Sequence, residues 1–109
     1  MARDYPGLFI TFEGGEGSGK TTQISLLEEA LLTQSIPVIR TYEPGGTDFA
    51  DEMRRFVKSP EYDIDYMTQL FLLEAARHDH VEKIISPALE EGNVILCDRF
   101  FDSSTVYQG

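Results

Sequence analysis

Short apolar runs alternate with helix-period segments along this chain. Leu8-Phe9-Ile10-Thr11-Phe12 is β-branched and aromatic, with apolar residues on both faces, the mark of a buried parallel strand, and it ends in a glycine-rich turn. From Lys20 the period changes. Ile24, Leu27 and Leu31 recur at helical spacing with Glu28, Glu29 and Gln34 on the other side, which predicts an amphipathic helix. Pro37-Val38-Ile39-Arg40-Thr41-Tyr42 reads as a second strand, stopped by Pro44-Gly45-Gly46. A shorter helix starts near Asp48, whose carboxylate either caps or favours the N-terminus, and runs through Met53 and Phe56. The polar stretch from Lys58 to Asp65, with Pro60, is a loop before a helix from about Met67 to His80. A further helix, Val81 to Glu91, carries Ile84, Ile85, Ala88 and Leu89 on one stripe, with a kink expected at Pro87 and a stop at Gly92. Val94-Ile95-Leu96-Cys97-Asp98 is a third buried-type strand, and Ser103-Ser104-Thr105 is placed to open another helix. Strands alternating with helices predict an α/β fold, a parallel sheet covered on both faces, with ligands at the carboxyl ends of the strands.

Composition narrows this picture. The 109 residues fit one domain, and 41% of them are hydrophobic, enough for a modest core. Nineteen acidic against nine basic side chains give a formal charge of −10, which disfavours nucleic acid but leaves room for a small phosphorylated ligand gathered by a few cations. The lone cysteine, Cys97, lies in an apolar run and reads as a buried small hydrophobe. The N-terminus has no apolar stretch near the ~18 residues that span a bilayer, which leads to the expectation of a soluble, cytoplasmic protein without membrane partners.

Gly14-Gly15-Glu16-Gly17-Ser18-Gly19-Lys20-Thr21 satisfies GxxxxGK[ST] between a predicted strand and a predicted helix, the context in which this motif cradles phosphate. Its glycines turn backbone N–H groups inward, Lys20 supplies a point charge to the β/γ-phosphates, and Thr21 offers a hydroxyl to magnesium. A ligand-free glycine-rich turn is the competing reading. Asp98, ending an apolar strand at the same sheet edge, is read as holding magnesium or one of its waters, against a structural cap. Arg99 follows it, and is either a bidentate phosphate ligand or a surface ion-pair partner.

Phe12-Glu13-Gly14-Gly15-Glu16-Gly17-Ser18-Gly19-Lys20-Thr21-Thr22-Gln23, Glu43-Pro44-Gly45-Gly46-Thr47, Asp98-Arg99-Phe100, Ser103-Ser104 and Tyr107-Gln108-Gly109 together resemble bacterial thymidylate kinase in identity, order and spacing. Ala75-Ala76-Arg77 and Pro87-Ala88-Leu89 extend the resemblance across nearly the whole chain. It implies a P-loop NTPase fold of the nucleoside monophosphate kinase type, represented by its N-terminal portion. It also implies transfer of the γ-phosphoryl group of ATP to dTMP with Mg2+, and a homodimer at full length, for which the apolar stripe on Met67 to Ala76 would serve, unless that stripe packs in the core. Residues 14–22, through Thr22, match the ATP-binding loop. Glu16 matches the carboxylate that contacts the acceptor sugar 3′-hydroxyl. Arg99 and Arg54 match the arginines at the acceptor phosphate, with Arg55 facing solvent. Arg77 matches the arginine at the thymine edge, and Leu73 falls where the family stacks a Phe on the base. Ser104 matches a reader of the thymine ring, Tyr107 the ring that crowds a ribose 2′-hydroxyl, and Gln108 a weaker acceptor-site position. His78 and His80 match no catalytic position and read as helix-surface residues.

Departures from the family pattern carry their own expectations. Many members have Arg where this chain has Tyr42, and Arg40 shares that side of the strand. Family members run to about twice this length, so the lid and remaining strands are expected outside these residues. Members with glycine at the Gly17 place rely on lid arginines, so this stretch alone is not expected to turn over efficiently. The family's strand order would leave Leu8 to Phe12 as an exposed edge. A kinase for another nucleoside monophosphate, or a nucleotide-binding module without transferase activity, stays open as an alternative.

Overall fold

The computed structural model describes residues 7–14 and 19–99. Strands β1 (Leu8–Glu13), β2 (Val38–Glu43) and β3 (Val94–Arg99) form one parallel sheet in the order β1-β3-β2. Around them lie helices α1 (Lys20–Thr33), α2 (Asp48–Lys58), α3 (Tyr66–His80), a π-helical segment (Val81–Ile85) and α4 (Ser86–Glu90). Central β3 is buried from Val94 to Cys97, whereas β1, paired on one side only among the described strands, leaves Leu8 57% exposed. The apolar run at 8–12 is therefore a parallel strand as expected and, among the described strands, an edge, which is why none of its residues reaches the burial that its apolar pattern predicted.

Strand alternation sorts the core into two layers. Ile24, Val94 and Leu96 pack on the α1 side with Ile10, Phe12, Leu27, Leu31 and Val38. Ile85, Ala88 and Ile95 pack on the other with Phe9, Ile39, Val81 and Leu89. Of the stripe read from the sequence, Ile85, Ala88 and Leu89 help to seal this second face.

Two local expectations are corrected. The separate helices expected before and after residue 81 are one continuous helical path, because Val81 and Ser86 keep right-handed helical dihedrals. Pro87 has no N–H for the Lys83 carbonyl and its ring would crowd that oxygen. The chain widens the preceding turn, with Ser86 N–H donating to Val81 O, and so absorbs the proline without ending the helix. The cap of α2 is Thr47 and not Asp48: Ala50 N–H donates to Thr47 Oγ1 at 3.0 Å, and Asp48 lies in the first turn. Asp65 caps α3 in the same way, accepting from Thr68 N–H at 2.8 Å. At the far end of α4, Gly92 N–H and Asn93 N–H close on Leu89 O and Ala88 O, the stop expected at Gly92.

Candidate active site

The three strands end in register on charged residues: Arg99 lies between Glu13 of β1 and Glu43 of β2. Alternation then sends Asp98 and Tyr42 to the α1 face, and Arg99, Glu13 and Glu43 to the α3 face.

On the α1 face, Gly19 with φ 80 turns the chain into α1, a left-handed conformation that a side chain would strain. No side chain caps this helix among the described residues, which leaves its first N–H groups to an anion. Lys20, 9% exposed, donates to Gly14 O at 2.6 Å and Arg99 O at 3.3 Å, and pairs with Asp98 Oδ1 at 2.7 Å. Desolvating an ammonium is tolerated only with such partners. Thr21 and Thr22 stand exposed in the first turn. Lys20 and Asp98, expected to share one sheet edge, do so.

Asp98 also borders an open cleft of about 750 Å³ lined by Tyr42, Asp51, Arg54, Arg55, Lys58 and Ser59. Burial and the neighbouring Arg54 charge lower the Lys58 pKa, as expected where cations are crowded together. Arg55 is largely exposed and paired with Glu52, in agreement with its solvent-facing assignment. Tyr42 donates its hydroxyl to Asp51 (2.9 and 3.1 Å to the two oxygens), and Gly46 N–H donates to the same carboxylate at 3.2 Å. Burial and the Asp51 contact raise the phenol pKa. Arg40 shares Tyr42's face, but it is held on α1 by Glu28 at 3.1 Å and Ser25 at 3.2 Å, so its charge is directed away from the cleft.

On the opposite face Arg99 Nη1 lies 3.7 Å from Glu13 Oε2, and Nε 3.7 Å from Glu43 Oε1. Nε is buried and has no hydrogen-bond partner among the described residues. Glu43 Oε2 is 3.0 Å from His80 Nδ1, and His80 Nε2 is 2.7 Å from Thr41 Oγ1. Burial pushes the Glu43 carboxyl up, but the His80 hydrogen bond and the charges of His80, Arg77 and Arg99 outweigh it and hold it below its ordinary value. His80 is fully buried, which overturns its reading as a surface residue. It continues the buried face of α3 one turn beyond Ala76, a spacing that marks it as inward-facing. His78 is exposed, as expected. Glu43 was legible in the same way, as a carboxylate ending an apolar strand opposite Arg99.

On α3, Leu73 is half-buried and Arg77 exposed, with Arg77 close enough for its charge to act on Glu43. Cys97 is buried, and desolvation pushes its thiol up to about 12. Gly15, Glu16, Gly17, Ser18, Ser104, Tyr107 and Gln108, with the helix expected to open at 103–105, lie outside the described residues. No group of three or more His, Cys, Asp or Glu side chains forms a metal site among the described residues. Magnesium needs none, since it binds through one or two oxygen ligands and substrate phosphates, and Asp98 and Thr21 are hard oxygen donors suited to it. Among the described residues no helix is long and apolar enough to cross a membrane.

A parallel sheet clad on both faces, with a glycine turn delivering a buried lysine to a strand-end aspartate, defines the P-loop NTPase-like α/β class. The family model for thymidylate kinase matches residues 12–109, and the chain belongs to the thymidylate kinase family. It is 53% identical over 104 residues to thymidylate kinase of Shouchella clausii, covering 94% of this chain and 49% of that protein. To thymidylate kinase of Rickettsia bellii it is 50% identical over 109 residues, covering all of this chain and 52% of the relative. The crystal structure of thymidylate kinase from Ehrlichia chaffeensis superposes with a TM-score of 0.72 at 37% identity, over 94% of this chain and 67% of that one. The chain thus spans about half the length of the curated relatives it matches.

Proposed function

We propose that this chain forms the phosphate-loop and acceptor-site portion of an enzyme that transfers the γ-phosphoryl group of ATP to dTMP, giving ADP and dTDP for dTTP synthesis. The observation that carries the reading is Lys20, buried at the start of a helix that no described side chain caps and paired with Asp98, at the rim of the cleft that Arg54 lines. The acceptor is a phosphate monoester, already substantially ionised at neutral pH, so no strong base is required and catalysis is positioning and charge neutralisation.

In this reading residues 14–22 cradle ATP, with Lys20 on the transferred phosphate and Thr21 and Asp98 holding magnesium. Bound magnesium supplies charge shielding to the phosphates. Arg99 and Arg54 hold the acceptor phosphate. Arg77 and Leu73 meet the base with Ser104, Tyr107 and Gln108 beside them, and Glu16 meets the sugar. We place residues 1–109 in a single nucleotide kinase domain as its N-terminal portion, supported by the half-length coverage of its relatives, and the full-length protein in the cytoplasm as a homodimer. The exposed Met67 and Phe71 on α3 support an interface there.

The test is phosphoryl transfer by the full-length product of the coding sequence, with ATP, Mg2+ and a panel of nucleoside monophosphates. Preference for dTMP, with kcat reduced by roughly 10²–10³-fold in Lys20→Ala, is the expected result. Preference for another monophosphate would move the acceptor assignment to the Tyr42 and Leu73 departures.

A further inference from the structure

Two features of the α3 face are not explained by the roles given above. His80 is buried with both ring nitrogens engaged, and Arg99 Nε is buried without a hydrogen bond among the described residues. Glu43 joins them, turning Oε2 to His80 Nδ1 at 3.0 Å and Oε1 to Arg99 Nε at 3.7 Å.

The geometry is that of a guanidinium flanked by two carboxylates yet with Nε lacking a hydrogen bond among the described residues. Both carboxylates beside it, on Glu13 and Glu43, stand at 3.7 Å, outside hydrogen-bond reach, so among the described residues the Nε–H of Arg99 is left for an incoming oxyanion. That state is unstable against collapse. A free carboxylate beside Arg99 closes into a tight pair and consumes the same donor. His80 prevents this by holding one Glu43 oxygen. An ionised carboxylate only accepts, so Nδ1 carries the proton donated to Glu43, and the Thr41 hydroxyl fixes the other side of the ring. The loop locks the ring in place: a Cβ on Gly46, where φ is +103, would sit 2.5 Å from His80 Cδ2.

We propose that His80 is a positioning residue which, by restraining Glu43, keeps the Arg99 guanidinium open for the phosphate group of the acceptor nucleotide. The proposal rests on the reading of Arg99 as an acceptor-phosphate ligand. It predicts an effect confined to ligands that carry a phosphate.

The experiment compares dTMP with thymidine, which lacks the phosphate, by titration calorimetry on the full-length protein. His80→Asn keeps an amide donor near the Nδ1 place, whereas His80→Gln keeps a polar group toward Thr41 and loses the bond to Glu43. Expected are a dTMP affinity about tenfold weaker in His80→Gln with thymidine affinity unchanged, and near-normal affinity for both in His80→Asn. Equal losses for both ligands, or the same behaviour of the two variants, would overturn the proposal and leave His80 a packing residue. Arg99→Ala separates the two levels. If it binds dTMP as the wild type does, the reading of Arg99 fails and the proposal with it; if it loses dTMP while His80→Gln does not, only the proposal fails.

Discussion

Burial decides which of the charged and reactive side chains are usable. Cys97, with its thiol pushed up to about 12, holds almost no thiolate near neutrality. Folded protein is expected to leave a disulfide reagent unreacted at about pH 8, where unfolded chain titrates one thiol. Glu43 shows the opposite sign. Its folded pKa lies below the unfolded value, so its contribution to stability is full above about 4.5 and is lost as pH falls through the folded pKa. Glu43→Gln should therefore flatten the fall of Tm on acidification below about pH 4.5, read by thermal melts across a pH series. At this scale Lys20, Thr21 and Asp98 were legible, since a contiguous motif and a strand end define their places. The inward side of His80 was readable from its spacing after Ala76, but its role was not, because its partners Thr41 and Glu43 lie about forty positions away in sequence.

Elements show how side chains set the joints between helices and strands. Thr47 caps α2 and also donates its hydroxyl to Asp79 Oδ2 at 2.6 Å, tying the α2 start to the end of α3. Thr47→Ala removes both bonds and is expected to cost about 1–2 kcal/mol in denaturant unfolding, while Thr47→Ser retains most of it. The periods of α1, α3 and the 84–89 stripe were readable from apolar spacing. What the spacing did not give is the widened turn before Pro87, by which the helical path from α3 continues into α4, with Ile85 and Ala88 packed against Ile95.

Across the whole molecule, the order β1-β3-β2 leaves β1 paired on one side among the described strands, with Leu8 exposed. Residues 1–109 expressed alone are expected to self-associate through this edge, and Leu8→Lys should lower the associated fraction in light scattering or sedimentation. Persistence of association in that variant would shift attention to Phe71 and Met67, also exposed on α3. The sequence by itself determined the alternation of strand and helix, the glycine loop that delivers Lys20, and the family to which the chain belongs. Each of these is written in local spacing or contiguous identity. Only the tertiary structure decided that Arg99 stands between Glu13 and Glu43 and that His80 lies beneath them. Those neighbours are created by strand register and by the approach of the C-terminal end of α3 to β2, and neither is encoded in the order of residues along any one segment.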